Sequence, residues 1–291
     1  MNRWYEQRLR TARVVAEQLR QEHPGAQVWL EGPVGYGVAH ARSDIDLRIV
    51  VPAGPAPAVR SRMADGVRVD LVSSTAADMD TLRAELGAFH MVATDLGRFR
   101  AIRRQLPALT ALRTARVMDG GEEAPALGAA ERDVYQKWAL ADRVHRAISL
   151  VEDLDGLSSA GLYDSAGMVL WQLSVTVMQA ENAAAGLPLL GDKWTPVLAG
   201  KHTALPSPLW EKAEGSSPCP DWFRQARVRL LNALLVAWPA AGSPDAQVDP
   251  AWGRFGWLPQ RYSDDWSLQY ADTRIALTTG QFLAWAAQVA S

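Results

Sequence analysis

Asp44 and Asp46, in Ser43-Asp44-Ile45-Asp46-Leu47, set two carboxylates two residues apart, and Asp70 follows inside the alternating run Val67-Arg-Val-Asp-Leu-Val72. Side chains two apart on a strand share a face, so Asp44 and Asp46 would aim at one spot. Asp70 is out of phase with Val67, Val69 and Leu71, and a neighbouring strand would bring it beside the other two. Three ionised carboxylates in a small volume need a compensating cation. An all-oxygen donor set suits magnesium, which is usually held by a few carboxylates, waters and substrate phosphates. Two such ions can clamp the attacking and leaving oxygens of an in-line phosphoryl displacement. Upstream, Gly32-Pro-Val-Gly-Tyr-Gly37 is a turn rich in glycine leading toward a helix, which presents backbone N–H groups to phosphates. These pieces point to phosphoryl or nucleotidyl transfer. Asp78-Met-Asp80 and Asp153-Leu-Asp155 repeat the spacing in helical or turn contexts, where they read as solvated faces or caps.

The elements that must position these groups can be traced along the chain. Leu9, Val14, Val15 and Leu19 give residues 3–22 helical spacing, which stops at His23-Pro24-Gly25. Val28–Leu30 reads as a buried strand and Ile45–Val51 as a second, ended by the breaker cluster Pro52–Pro57. Residues 67–72 alternate with period two and form a third strand, placed beside the second. A helix over about 75–86, a strand at 89–93 and a strand with its turn over 115–121 complete this half. Beyond Gly128 the pattern becomes helical, over 129–154, 162–185, 219–238 and about 271–289. Ten of the twelve tryptophans lie at or after Trp138, which marks the same shift in composition. The expected fold class is α+β: a domain over 1–125 with a small mixed sheet and flanking helices, then an all-α helical bundle over 126–291.

Composition narrows the function classes. At 48% hydrophobic and 21% charged residues the 291-residue chain has ample material for packed cores, which excludes a disordered protein. A net charge of −2 with no basic stripe gives no surface for nucleic acid or an anionic membrane. One cysteine, Cys219, excludes an internal disulfide and every multi-cysteine zinc site. No apolar run is long enough for a membrane helix, and the polar opening residues are unlike a signal peptide, so the expected location is cytoplasmic.

Gly32–Leu47 resembles the signature of the DNA-polymerase-β-type nucleotidyltransferase superfamily, a glycine turn followed by Ser-Asp-Ile-Asp-Leu. The motif resemblance covers about 40 residues, from Val28 to Val72. The domain order is similar to that of the antibiotic nucleotidyltransferases of the kanamycin and lincosamide type. The resemblance implies that Asp44 and Asp46 bind magnesium ions holding a nucleoside triphosphate. It implies that Asp70 completes the metal site and can act as general base, while Gly32, Pro33 and Ser43 line the phosphate turn. In the kanamycin-type relatives a carboxylate on the first bundle helix is the base, which here would be Asp142, with Glu152 as the alternative. Asp192-Lys193-Trp194 stands where related enzymes place a lysine near the triphosphate, so Lys193 joins the candidate set. Two positions depart from the pattern. Pro33 replaces the usual serine and has neither its hydroxyl nor its N–H, and Tyr36 stands where some relatives carry a phosphate-binding arginine.

The resulting expectation is a magnesium-dependent nucleotidyltransferase that moves a nucleoside monophosphate from an NTP, ATP by default, to an oxygen nucleophile of a small molecule. That acceptor would be an antibiotic or a natural-product intermediate, and a homodimer with composite sites is left open. The second expectation, of another class, is a non-catalytic nucleotide-sensing or partner-binding module, as in antitoxins built on the same scaffold. His40 is a phosphate contact or a helix-end histidine; His90 and His145 read as packing residues. Trp138, Trp171 and Trp194 form core or an aromatic wall for a base or acceptor. Asp264, Asp265 and Asp272 form a solvated acidic loop or a cradle for a cationic acceptor, and Cys219 reads as inert.

Overall fold

The apolar stripe of the first helix decides how the first half is built. In the computed structural model, which describes residues 3–92, 96–119, 122–199, 204–206, 219–244, 246–263 and 265–290, helix α1 (Arg3–Glu22) buries Leu9, Ala12, Val15, Ala16 and Leu19. These side chains form one core with Val28 and Leu30 of β1 (Gln27–Glu31), with Ile45, Leu47 and Ile49 of β2 (Ile45–Val51), and with Val67 and Val69 of the strand Val67–Thr75. A single helical turn, α2 (Gly32–Gly35), follows β1, with Pro33 in its first turn, where a missing N–H costs nothing.

Strand β3 (Arg62–Ala64) pairs with β4 (Val67–Thr75) through a two-residue turn, Asp65-Gly66, in which both residues have positive φ (50° and 71°). That is the backbone a tight hairpin demands, and Asp-Gly supplies it. The chain continues through α3 (Ala76–Gly87), α4 (Leu96–Arg103), α5 (Leu106–Thr114), β5 (Arg116–Asp119) and β6 (Glu122–Pro125). The six strands form one mixed sheet in the order β3-β4-β2-β1-β5-β6. Strands β2 and β4 run parallel; the other neighbours are antiparallel. Period-two alternation puts Val67 and Val69 on the α1 face and leaves Asp46, Arg48 and Asp70 on the other.

The rest of the chain holds α6 (Ala129–Ser159), α7 (Tyr163–Ala184), α8 (Thr195–Ala199), α9 (Asp221–Ala237), strands β7 (Leu258–Arg261), β8 (Trp266–Tyr270) and β9 (Thr273–Leu277), and α10 (Thr279–Ala290). The chain divides into two compact units: Met1–Phe89 with Arg104–Tyr135, and His90–Arg103 with Gln136–Ser291. In the second, α7 packs on α9, and Glu181 takes a bidentate pair of hydrogen bonds from Arg229, both 2.7 Å.

The structure corrects two expectations. The second half is not all-helical: β7, β8 and β9 form an antiparallel three-stranded sheet, and the final helix starts at Thr279 rather than near 271. Trp266, Ser267 and Leu268 are buried in succession, so the strand carries no apolar-polar alternation to betray it. Phe282 of α10 stacks on Trp266 with ring centroids 3.8 Å apart. The strand expected at 89–93 is absent over Phe89–Val92, and Ala93 lies outside the described residues. Met91 instead donates its N–H to Ser263 Oγ (2.9 Å) and accepts the Ser263 N–H (2.7 Å), which satisfies its backbone without a ladder.

Candidate active site on the central strands

The parallel register sets Asp46 of β2 level with Asp70 of β4, and the antiparallel register sets Glu31 of β1 level with Asp46. One row across three strands therefore carries three carboxylates on the face away from α1. Asp44, at the entry to β2, adds a fourth. Burial comes first, and then the charges of Asp70, Glu31 and Asp44, in pushing the Asp46 carboxyl up to about 6; Arg68 works against them. The four carboxylates do not share one fate. Glu31 is buried and clamped by Arg48, whose Nε donates to Oε1 (2.5 Å) and Nη2 to Oε2 (3.1 Å), while Nη1 donates to Ser74 Oγ (2.6 Å). Asp70 accepts the Ser61 hydroxyl on Oδ1 (2.7 Å) and Arg68 on Oδ2, and these bonds, Ser61 foremost, hold its pKa below the ordinary range. Asp44 meets Arg68 alone among these partners, at 3.2 Å.

Gly32 is fitted to this row. Its φ is +64°, and a Cβ there would stand 2.4 Å from Asp46 Oδ2, so only glycine permits the turn to lie against that carboxylate. Its N–H donates to Thr114 Oγ1 of α5 (3.0 Å). Ser43 is buried and accepts the His40 N–H on its hydroxyl (2.8 Å). Arg8, buried on α1, donates to the carbonyls of Ala41 (2.7 Å) and Ser43 (3.2 Å), and so fixes the loop that leads into Asp44. His40 Nδ1 accepts the Arg42 N–H, a loop-end role. Beside Tyr36, where the sequence lacks an arginine, α5 brings one: Arg113 Cζ lies 5.7 Å from the ring centroid, and burial lowers its pKa.

The second unit holds the other candidates, and their surroundings differ. Asp142 on α6 is fully buried, with Arg103 Nε 2.5 Å from Oδ1 and Arg143 donating to Oδ2. Arg143 continues to Gln179 Oε1 (2.8 Å), and Gln179 donates to Asp192 Oδ1 (3.0 Å) and Thr195 Oγ1 (3.2 Å). This is a buried polar network that ties α4, α6, α7 and α8 together. Lys193 is exposed, its Nζ 5.8 Å from the Trp194 ring centroid. Glu152 is pushed up by burial and by Asp272 and Asp153. His145 packs edge-on to Phe99 at 5.5 Å, and burial, followed by the Arg103 charge, lowers its pKa. Trp138 and Trp194 are core, whereas Trp171 is exposed. Asp265 pairs with Arg274 at 3.8 Å, Asp264 lies outside the described residues, and Cys219 donates to the Gly253 carbonyl.

Carboxylate oxygens are the donor type a hard divalent cation takes, and burial, with the charges of its neighbours, pushes the Asp46 carboxyl up to about 6. Among the described residues no three His, Cys, Asp or Glu side chains are gathered closely enough to enclose an ion. Glu31, Arg48, Ser61, Arg68 and Arg113 are absent from the sequence-derived site. The signals for two of them were present: Glu31 immediately precedes Gly32, and Arg68 lies two before Asp70 on its own strand.

No helix among the described residues is long and apolar enough to cross a membrane. No family model and no curated protein matches the chain. Among solved structures it is similar to a nucleotidyltransferase-like protein from Exiguobacterium sibiricum 255-15. The two are 13% identical, the match covers 81% of this chain and 68% of that one, and the TM-score is 0.28, too low to carry an argument.

Proposed function

We propose that the chain is a nucleotidyltransferase that moves a nucleoside monophosphate from an NTP to a hydroxyl of a small molecule and releases pyrophosphate. The observation that carries this reading is the level placement of Asp46 and Asp70 on adjacent parallel strands, with Asp44 two residues upstream. Asp44, Asp46 and Asp70 would hold magnesium, which supplies charge neutralisation for the triphosphate and for the oxygens that exchange at phosphorus. Asp70 is the base: it is partly exposed, on the open face of the sheet, and can accept the proton of an acceptor hydroxyl. Asp142, with both oxygens engaged by arginines, is assigned to the packing of its unit instead. The mild net charge, without a basic stripe, favours a small acceptor over a polynucleotide, in keeping with an antibiotic or natural-product intermediate.

A second reading, a nucleotide-sensing or partner-binding module without catalysis, is favoured by a different observation. In the turn, the Gly32 N–H is taken by Thr114, Pro33 has no N–H, and the Ser43 hydroxyl already accepts from His40. Calorimetry with each of the four NTPs, with and without magnesium, separates the two. The transferase reading expects magnesium-dependent binding of a nucleotide, lost in the Asp44→Asn, Asp46→Asn double variant. Absence of binding at millimolar nucleotide overturns the transferase reading and leaves the partner-binding form of the second; binding without pyrophosphate release leaves the nucleotide-sensing form.

A further inference from the structure

We propose that Arg68 is a displaceable counterion of the carboxylate site, holding between Asp44 and Asp70 the place a divalent cation takes on loading. This rests on the reading of Asp44, Asp46 and Asp70 as a cation site. A single nitrogen, Nη2, stands 2.7 Å from Asp70 Oδ2 and 3.2 Å from Asp44 Oδ2, and Nε lies 3.1 Å from the same Asp70 oxygen. The guanidinium thus draws both carboxylates onto a flat fork rather than around a point charge.

The two arginines of this face behave differently. Arg48 is held by three hydrogen bonds: to both oxygens of buried Glu31, through Nε and Nη2, and to Ser74 through Nη1. Its side chain is 15% exposed and fixed in the sheet. Arg68 is 58% exposed, with its carboxylate partners also open to water at 44% and 30%. Exposed arginine–carboxylate pairs are weak, and a doubly charged ion that bonds the oxygens directly outcompetes them. On loading, the guanidinium moves into solvent, and Ser61, bonded to the other Asp70 oxygen at 2.7 Å, keeps that carboxylate in place. Arg68 therefore acts as a positioning residue that sets cation affinity and covers the carboxylates until a cation arrives.

The test is a manganese(II) titration of the full chain, followed by the electron paramagnetic resonance signal of the free ion. Arg68→Ala and Arg68→Gln are each expected to bind manganese about three- to tenfold more tightly than the parent chain. Arg62→Ala, which removes an equal charge paired with Glu22 (3.1 Å) rather than with the site, is expected to match the parent. Unchanged or weaker binding in both Arg68 variants overturns the proposal, as does an equal gain in the Arg62 variant. The Asp44→Asn, Asp46→Asn double variant separates the two levels. If it binds manganese like the parent, the cation-site reading itself falls; if it loses binding while the Arg68 variants match the parent, only the counterion proposal falls.

Discussion

Asp46 and Asp142 are both carboxylates with little exposure, each on a long regular element, yet the structure treats them in opposite ways. Asp142 is enclosed completely, and each oxygen meets an arginine, Arg103 or Arg143. Asp46 is enclosed only in part, and the charges that act on it most, Asp70, Glu31 and Asp44, are of its own sign, with Arg68 opposing them more weakly. In the first case the charge is compensated within the protein and holds four helices in register. In the second the fold leaves negative charge uncompensated, which is costly unless something outside the chain supplies the balance. A surplus of like charge, rather than burial or placement on a strand, separates a candidate site from a structural ion pair.

The comparison can be broken by substitutions expected to act with opposite sign. Asp142→Asn leaves Arg103, a third exposed, and Arg143, which keeps its bond to Gln179, without their charged partner, and is expected to destabilise the chain by about 2–3 kcal/mol, seen as a lower urea midpoint. Asp46→Asn is expected to stabilise the metal-free chain at pH 7 by roughly 2–3 kcal/mol. The sign follows from the folded pKa, about 6 against an ordinary 3.8. The native state binds this proton more tightly than the unfolded chain, so its contribution is present below pH 4 and is lost as pH rises to 6. The stability difference between parent and Asp46→Asn should therefore shrink toward pH 4 in matched urea titrations and be constant above pH 7. Equal destabilisation by both substitutions would show that Asp46, too, is a compensated structural charge.

Smaller effects sharpen the contrast. Gly32→Ala places an L-residue at φ +64°, an expected loss of about 1–2 kcal/mol. The Asp46 carboxylate must swing away from the new methyl group, so manganese affinity should fall together with the midpoint. Thr114→Val removes the acceptor of the Gly32 N–H and is expected to lower stability by about 1 kcal/mol. If the freed N–H serves a phosphate, nucleotide binding in calorimetry should strengthen in this variant rather than weaken.

Much of the sheet row was legible because it rests on local alternation. The phase of Asp70 against Val67 and Val69, and the spacing of Asp44 and Asp46, follow from period two alone, and the register sets Asp46 beside Asp70. The cationic partners were not legible in the same way. Arg48 and Arg68 share the face of the aspartates, but nothing in their spacing tells which one is anchored by Glu31 and which one spans two carboxylates. Arg113 reaches Tyr36 from a helix 77 residues along the chain, a pairing no local pattern encodes. The sheet over 258–277 escaped for another reason: its strands are short, β7 and β8 are buried at successive positions and β9 is mostly exposed, so none shows an apolar-polar alternation.

The Asp65-Gly66 turn works as a ruler. With two residues at the corner, Ala64 faces Val67 and Arg62 faces Val69, which brings Ser61 to Asp70. The parallel pairing of β2 with β4 does not pass through this corner. Lengthening the corner by one residue would leave Asp70 level with Asp46 yet carry the Ser61 hydroxyl out of step, uncoupling the alignment of the carboxylate from its orientation. Of the ten residues that join Val51 to Arg62, Ser61 bonds Asp70 and the Pro57 carbonyl accepts the Ser73 hydroxyl, so change in length is better tolerated over 52–56 than at the corner.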